Sequence, residues 1–133
     1  MHDLPHDPRA VAQAYRLAAL ENSPPIKIVR MLYEGALRFL DQAAAIGPQS
    51  PEFARLCARA DAIVNELRCS LDPEPAPGIA RELDRLYLFV QDRIAQATIG
   101  RTSEPLPAGR AVMATLLEGW QHVELSTSGN RQA

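Results

Sequence analysis

The chain is short of cysteine and of long apolar runs, and each shortage closes off a class of protein. Its two cysteines, Cys57 and Cys69, stand twelve residues apart in a stretch with helical periodicity, which at about 1.5 Å per residue separates them by ~18 Å. A disulfide needs Cα atoms within ~7 Å. Unpaired thiols fit a reducing compartment. No window reaches the ~18 uninterrupted apolar residues of a membrane span. The N-terminus, Met1-His2-Asp3-Leu4-Pro5-His6-Asp7-Pro8, has neither the basic region nor the apolar run of a signal peptide. A soluble, cytoplasmic (cytosolic) protein that does not insert into a membrane is expected.

Charge of one sign is missing too. Lys+Arg number 14 against 16 Asp+Glu, a formal charge of −2, and the signs stay balanced along the chain. Without a basic block the electrostatic footprint of a nucleic-acid binder is absent, so no nucleic-acid partner is expected. There is no Gly-x-Gly-x-x-Gly or Gly-x-x-x-x-Gly-Lys phosphate loop. The histidines, His2, His6 and His122, sit at the two ends, so nothing pairs a base with a nucleophile locally. His2-Asp3 and His6-Asp7 are metal-ligating types, but Pro5 and Pro8 forbid the helix that would aim them at one ion. Glu118 and His122 lie one turn apart, yet a di-iron bundle needs Glu-x-x-His on two helices, and the third residue after Glu118 is Gln121. No catalytic residue, metal ligand or cofactor is expected, and the chain is not read as an enzyme.

What the sequence has is proline, eleven of them, almost all between periodic segments, where they act as punctuation. A first short helix is expected from about Pro8 to Leu20. Ser23-Pro24 reads as a serine cap followed by a proline whose φ is preset for a first turn, opening a second helix that stops at Gly47-Pro48. Ser50-Pro51 repeats the signal, and Phe53, Leu56, Ala60, Ile63, Val64, Leu67 and Leu71 recur at three- and four-residue spacing up to Asp72-Pro73. The series 79, 83, 86, 90, 94 and 97 is an antiparallel-bundle seam, closed by Gly100 through a left-handed cap. Met113, Leu116, Trp120 and Val123 mark a last helix, followed by a polar tail. No stretch alternates like a strand. The expectation is all-α: an antiparallel up-down four-helix bundle with a short additional N-terminal helix, one domain over residues 1–133, with 1–8 and 126–133 as flexible tails.

The second helix is apolar at 28, 29, 31, 32, 33, 36, 37, 39 and 40, wider than the roughly 100° stripe that one buried side requires. Arg30, Glu34 and Arg38 follow one another at i, i+4 and i+8, a solvated strip with weak ion pairs. Gly35 costs ~1 kcal/mol relative to alanine in a helix interior, which a close helix crossing or backbone exposed to a bound helix would explain.

Several blocks resemble a known family. They are Ala14-Tyr15, Ser23-Pro24, Met31-Leu32-Tyr33-Glu34-Gly35-Ala36-Leu37, Ala60-x-Ala62-Ile63-Val64-x-Glu66-Leu67-x-x-Ser70-Leu71-Asp72, Ile79-Ala80-x-x-Leu83-x-x-Leu86-Tyr87, and Trp120. Together they make the chain similar to the flagellar export chaperones of the FliS family over roughly residues 14 to 120. The resemblance implies a helical bundle that binds the disordered C-terminal segment of flagellin, prevents its premature polymerisation, and delivers it to the flagellar type III export apparatus. It also implies an N-terminal stretch, here about Met1 to Tyr15, that covers part of the binding surface before the partner arrives. Within that reading the candidate flagellin-binding residues are Tyr15, Val29, Leu32, Tyr33, Ala36, Leu37, Ile63, Leu67, Leu71, Leu83 and Tyr87; for any single one of them, plain core is the alternative. Pro73, Pro75 and Pro77 make one connection more proline-rich than the family pattern. A generic helical-bundle adaptor that binds another amphipathic helix is the competing reading.

Overall fold

The three- and four-residue periodicity folds as helix throughout: α1 (Pro8–Ala18), α2 (Ile26–Ile46), α3 (Glu52–Cys69), α4 (Pro77–Gly100) and α5 (Leu106–Arg131). The computed structural model describes residues 7–18, 26–74 and 76–131, and among them there is no strand. An all-helical bundle with a shorter leading helix is therefore the observed architecture. The Ser23-Pro24 cap, Leu20 and residues 1–6 lie outside the described residues.

Cross-helix contacts define the topology. Arg59 of α3 stacks on Phe39 of α2, and Ile63 lies against Gly35, so numbers fall along one helix as they rise along the other. Asp41 meets Arg110 and Tyr33 meets Trp120 in the same opposed sense between α2 and α5. The α3 and α4 helices are likewise antiparallel, with Arg68 paired to Asp84 and the Cys57 end facing Thr98. Thus α2 and α4 each pack between α3 and α5, and α1 lies outside this ring against α5 and α4.

Local chemistry sets the helix ends. Gly47, at φ +82°, takes the left-handed position after α2, and its N–H returns to the Ala43 carbonyl at 3.0 Å. Ser50 acts as the expected cap: its Oγ accepts the Glu52 N–H at 3.2 Å and its carbonyl accepts the Phe53 N–H at 3.1 Å.

Three boundaries differ from the sequence reading. First, α3 ends at Cys69 rather than Asp72, because the Ser70 hydroxyl donates to the Leu67 carbonyl at 2.9 Å and the Asp72 N–H is taken by the Tyr15 hydroxyl at 2.8 Å. Second, the left-handed cap after α4 falls on Arg101 (φ 49°, ψ 56°) and not on Gly100. Arg101 and Thr102 donate their N–H groups to the Thr98 and Ala97 carbonyls, a Schellman arrangement whose C′ residue carries a side chain. Third, α5 continues as helix to Arg131, past Ser126 where the polar tail was expected to begin.

The interior is filled from all five helices, with Tyr33, Tyr87, Leu40, Leu83, Met113 and Leu116 among its most completely buried side chains. Each apolar side chain taken fully from water stabilises by roughly 1.5–3 kcal/mol. At the centre three polar groups satisfy one another. The Trp120 indole N–H donates to the Tyr33 hydroxyl at 3.0 Å, and the Tyr33 and Tyr87 hydroxyls are hydrogen-bonded to each other.

Candidate partner-binding face

Gly35 explains how the α2–α3 seam is built. A Cβ on it would lie 3.3 Å from Ile63 Cδ1 and 3.8 Å from an Arg38 guanidinium nitrogen. The missing side chain lets α3 approach closely and lets Arg38 lie back over the crossing, so the close-crossing reading of this glycine is the one the structure bears out.

The candidate residues divide by burial. Tyr15, Val29, Tyr33, Ala36, Leu67, Leu83 and Tyr87 are core; a partner touches them only if helices separate. The reason is packing geometry: one stripe of α2, made of Val29, Tyr33, Ala36 and Leu40, points to the middle of the ring, where Leu67, Leu83 and Tyr87 meet it. Leu32, Leu37, Ile63 and Leu71 are only partly buried against that core. Sequence reasoning left Ile28 and Met31 off the candidate face, although they are 50 % and 58 % exposed. Their membership in the over-wide apolar surface of α2 was the available signal. With Leu32 and Ile63 they form an apolar strip along the outer α2–α3 seam.

Elsewhere, Leu17 on α1 and Leu88, Phe89 and Ile99 on α4 are also exposed. A cleft of about 250 Å³ between α3 and α4 is lined by three alanines, Ile94 and Ile99 together with Cys57, Asp61 and Thr98.

The side of α1 facing the bundle covers a second apolar region. A Cβ on Gly119 of α5 would collide with the Arg9 carbonyl oxygen and stand 2.9 Å from the Ala12 Cβ, so α1 crosses α5 at a point only glycine permits. Tyr15 meets Trp120 edge-on at 6.2 Å, Arg16 stacks over the same indole at 5.6 Å, and Arg9 pairs with Glu118. Under this cover Trp120 is 4 % exposed.

Among the described residues no three His, Cys, Asp or Glu side chains gather as a metal site. Cys57 is buried, which pushes its thiol up from the usual range and away from the reactive thiolate. Burial also raises the Tyr33 and Tyr87 hydroxyls well above an ordinary tyrosine, so both are neutral hydrogen-bonding groups at any physiological pH. Among the described residues no helix is long and apolar enough to cross a membrane.

A closed helical ring that leaves an apolar seam exposed has the architecture expected of a small helical chaperone or adaptor. The family described as Flagellar protein FliS matches residues 8–127, and the chain belongs to it. It is 30 % identical over 108 residues to the flagellar secretion chaperone FliSB of Pseudomonas aeruginosa, covering 80 % of this chain and 86 % of that one. Similarity extends to flagellar secretion chaperone FliS of Salmonella typhimurium, 25 % identical over 123 residues (90 % of this chain, 91 % of the relative). The FliS of Escherichia coli is 27 % identical over 123 residues, 90 % of each chain. The family is one of chaperones and not of enzymes.

Proposed function

We propose that this protein is a cytoplasmic export chaperone for flagellin: it holds the disordered C-terminal segment, keeps it from polymerising, and delivers it to the flagellar type III export apparatus. The observation that carries this reading is the exposed apolar seam of α2 and α3 in a chain belonging to a flagellar secretion chaperone family. An amphipathic segment that folds on docking would lay its apolar side along Ile28, Met31, Leu32 and Ile63; Leu37 lies on the flank of α2 toward α5, and Leu71 on the α4 side of α3 beside Ala80 and Asp84. Ordering such a segment typically costs about 2–5 kcal/mol, which burial at about 25 cal/mol per Å² must exceed. The buried candidates Tyr15, Tyr33 and Tyr87 enter the same account in another way. Tyr15 leaves the core where α1 lifts from α5, as a covering N-terminal segment would, whereas Tyr33 and Tyr87 lie inside the four-helix ring and stay covered unless its helices part.

Coexpression with flagellin followed by co-purification tests the reading. Full-length flagellin is expected to co-purify, and flagellin lacking its C-terminal segment to be lost; equal recovery of the two sinks it and leaves the generic adaptor. Met31→Asp locates the surface. It should weaken capture while changing stability by no more than about 0.5 kcal/mol, because a half-exposed side chain contributes little to the fold. Unchanged capture would place the docking surface elsewhere.

A further inference from the structure

The arginines of α2 and α3 do not share one fate. Glu34 pairs with Arg30, Asp41 with Arg110, and Glu52 with Arg55, so three of the five carboxylates of these helices are held by other arginines. Arg38 and Arg59 make no ion pair with any described carboxylate. Instead both stack on one ring: their guanidinium carbons each lie 5.7 Å from the centroid of Phe39, one reaching from the same helix and one across the seam from α3. Arg38 is held further by its bed over Gly35. Stacking fixes a guanidinium while leaving its N–H edges free for an acceptor. Both side chains are exposed. They stand beside Gly35 and Ile63, where the apolar strip that begins at Ile28 and Met31 ends.

We infer that the α2–α3 seam is read by charge as well as by apolarity: Arg38 and Arg59, preset on Phe39, take carboxylates of an acidic amphipathic protein segment whose apolar side lies on Ile28, Met31 and Leu32. This rests on the reading of the seam as the docking surface and adds the chemistry of the occupant, an Asp- or Glu-bearing segment. A nucleic acid would want a continuous basic track, and the charge of −2 with alternating signs supplies none.

The test uses the full chain and two synthetic amphipathic peptides, identical except that one carries two glutamates at the end that meets Phe39 and the other two glutamines. Binding is followed by fluorescence anisotropy. The glutamate peptide should bind about tenfold tighter at low salt, with the gap narrowing toward ~0.5 M NaCl, because exposed ion pairs are screened. Arg38→Gln/Arg59→Gln should bind both peptides at the affinity of the glutamine peptide and melt within a few degrees of the unaltered chain. Arg38→Lys/Arg59→Lys, which keeps the charge and loses the planar stack, should fall between. Met31→Gln, which removes apolar area and adds no charge, should weaken both peptides alike, reporting on the seam independently of the charge. Equal binding of the two peptides by the unaltered chain overturns the inference and leaves the seam standing; so does discrimination that survives in the glutamine variant. Binding of neither peptide overturns both readings, and tighter binding of a single-stranded RNA oligomer than of the glutamate peptide overturns the assignment of the occupant.

Discussion

Replacing Gly119 with alanine sets two effects of opposite sign against each other. In an undisturbed helix the change stabilises, by about 1 kcal/mol, because alanine loses less backbone freedom than glycine. Here the new methyl has nowhere to go. It would overlap the Arg9 carbonyl oxygen and sit 2.9 Å from the Ala12 Cβ, and the first of these is backbone, which cannot rotate aside. Overpacking of this kind costs about 1–3 kcal/mol where the structure can shift, and the element free to shift is α1, which rests on the ring from outside. Its displacement would loosen the covers of Trp120, namely Tyr15, Arg16 and the Arg9–Glu118 pair. The chain has one tryptophan, so intrinsic fluorescence reports on this spot alone. Gly119→Ala is expected to shift Trp120 emission to the red, to increase its quenching by acrylamide, and to lower the melting temperature slightly. An unshifted spectrum with a raised melting temperature would show that α1 does not cross α5 at Gly119.

The buried hydroxyls are unequal. Tyr33 holds both Trp120 and Tyr87 whereas Tyr87 holds Tyr33 alone, so Tyr33→Phe, which orphans the indole N–H, should cost about 2–3 kcal/mol by denaturant melt and Tyr87→Phe about 1; equal losses would refute the shared acceptor. Both hydroxyls are raised by burial above their ordinary value of 10.0. The native state therefore keeps protons that the unfolded chain releases, and stability should be level up to about pH 10 and fall beyond it. A fall as steep in Tyr33→Phe/Tyr87→Phe as in the parent would reject that origin. Arg101 bears the left-handed strain after α4, so Arg101→Gly should stabilise by about 0.5–1 kcal/mol; a destabilised variant would mean that the arginine side chain contributes more than its backbone costs.

Helix count and order were legible because period and punctuation agree: five apolar-periodic segments separated by proline and glycine leave little room for another fold. The end of α4 was not. Gly100 and Arg101 differ by one residue, and glycine preference places the left-handed position on Gly100, but the hydrogen bonds of Arg101 to Thr98 and of Thr102 to Ala97 fix it on the arginine. The premature end of α3 had no sequence signal at all, since it depends on the Tyr15 hydroxyl arriving from a distant helix to take the Asp72 amide.

The candidate face was half legible, and α2 shows why. Periodicity says which residues share a stripe but not which way the stripe points once neighbours are added. Val29, Tyr33, Ala36 and Leu40 could be assigned to a core or to a groove with equal right; only the closure of the ring by α5, bringing Trp120 to Tyr33, makes them interior. Two helices flank α2, and between them they account for Leu32, Phe39 and Leu37 only in part. Ile28 and Met31 are left over. An apolar surface wider than its own bundle can cover is a property of the whole helix, so it was visible in composition. Its location required the packing of every other helix first. What the packing adds is the polar end of that surface: the same glycine that admits Ile63 makes room for Arg38, and an apolar strip becomes one with a direction.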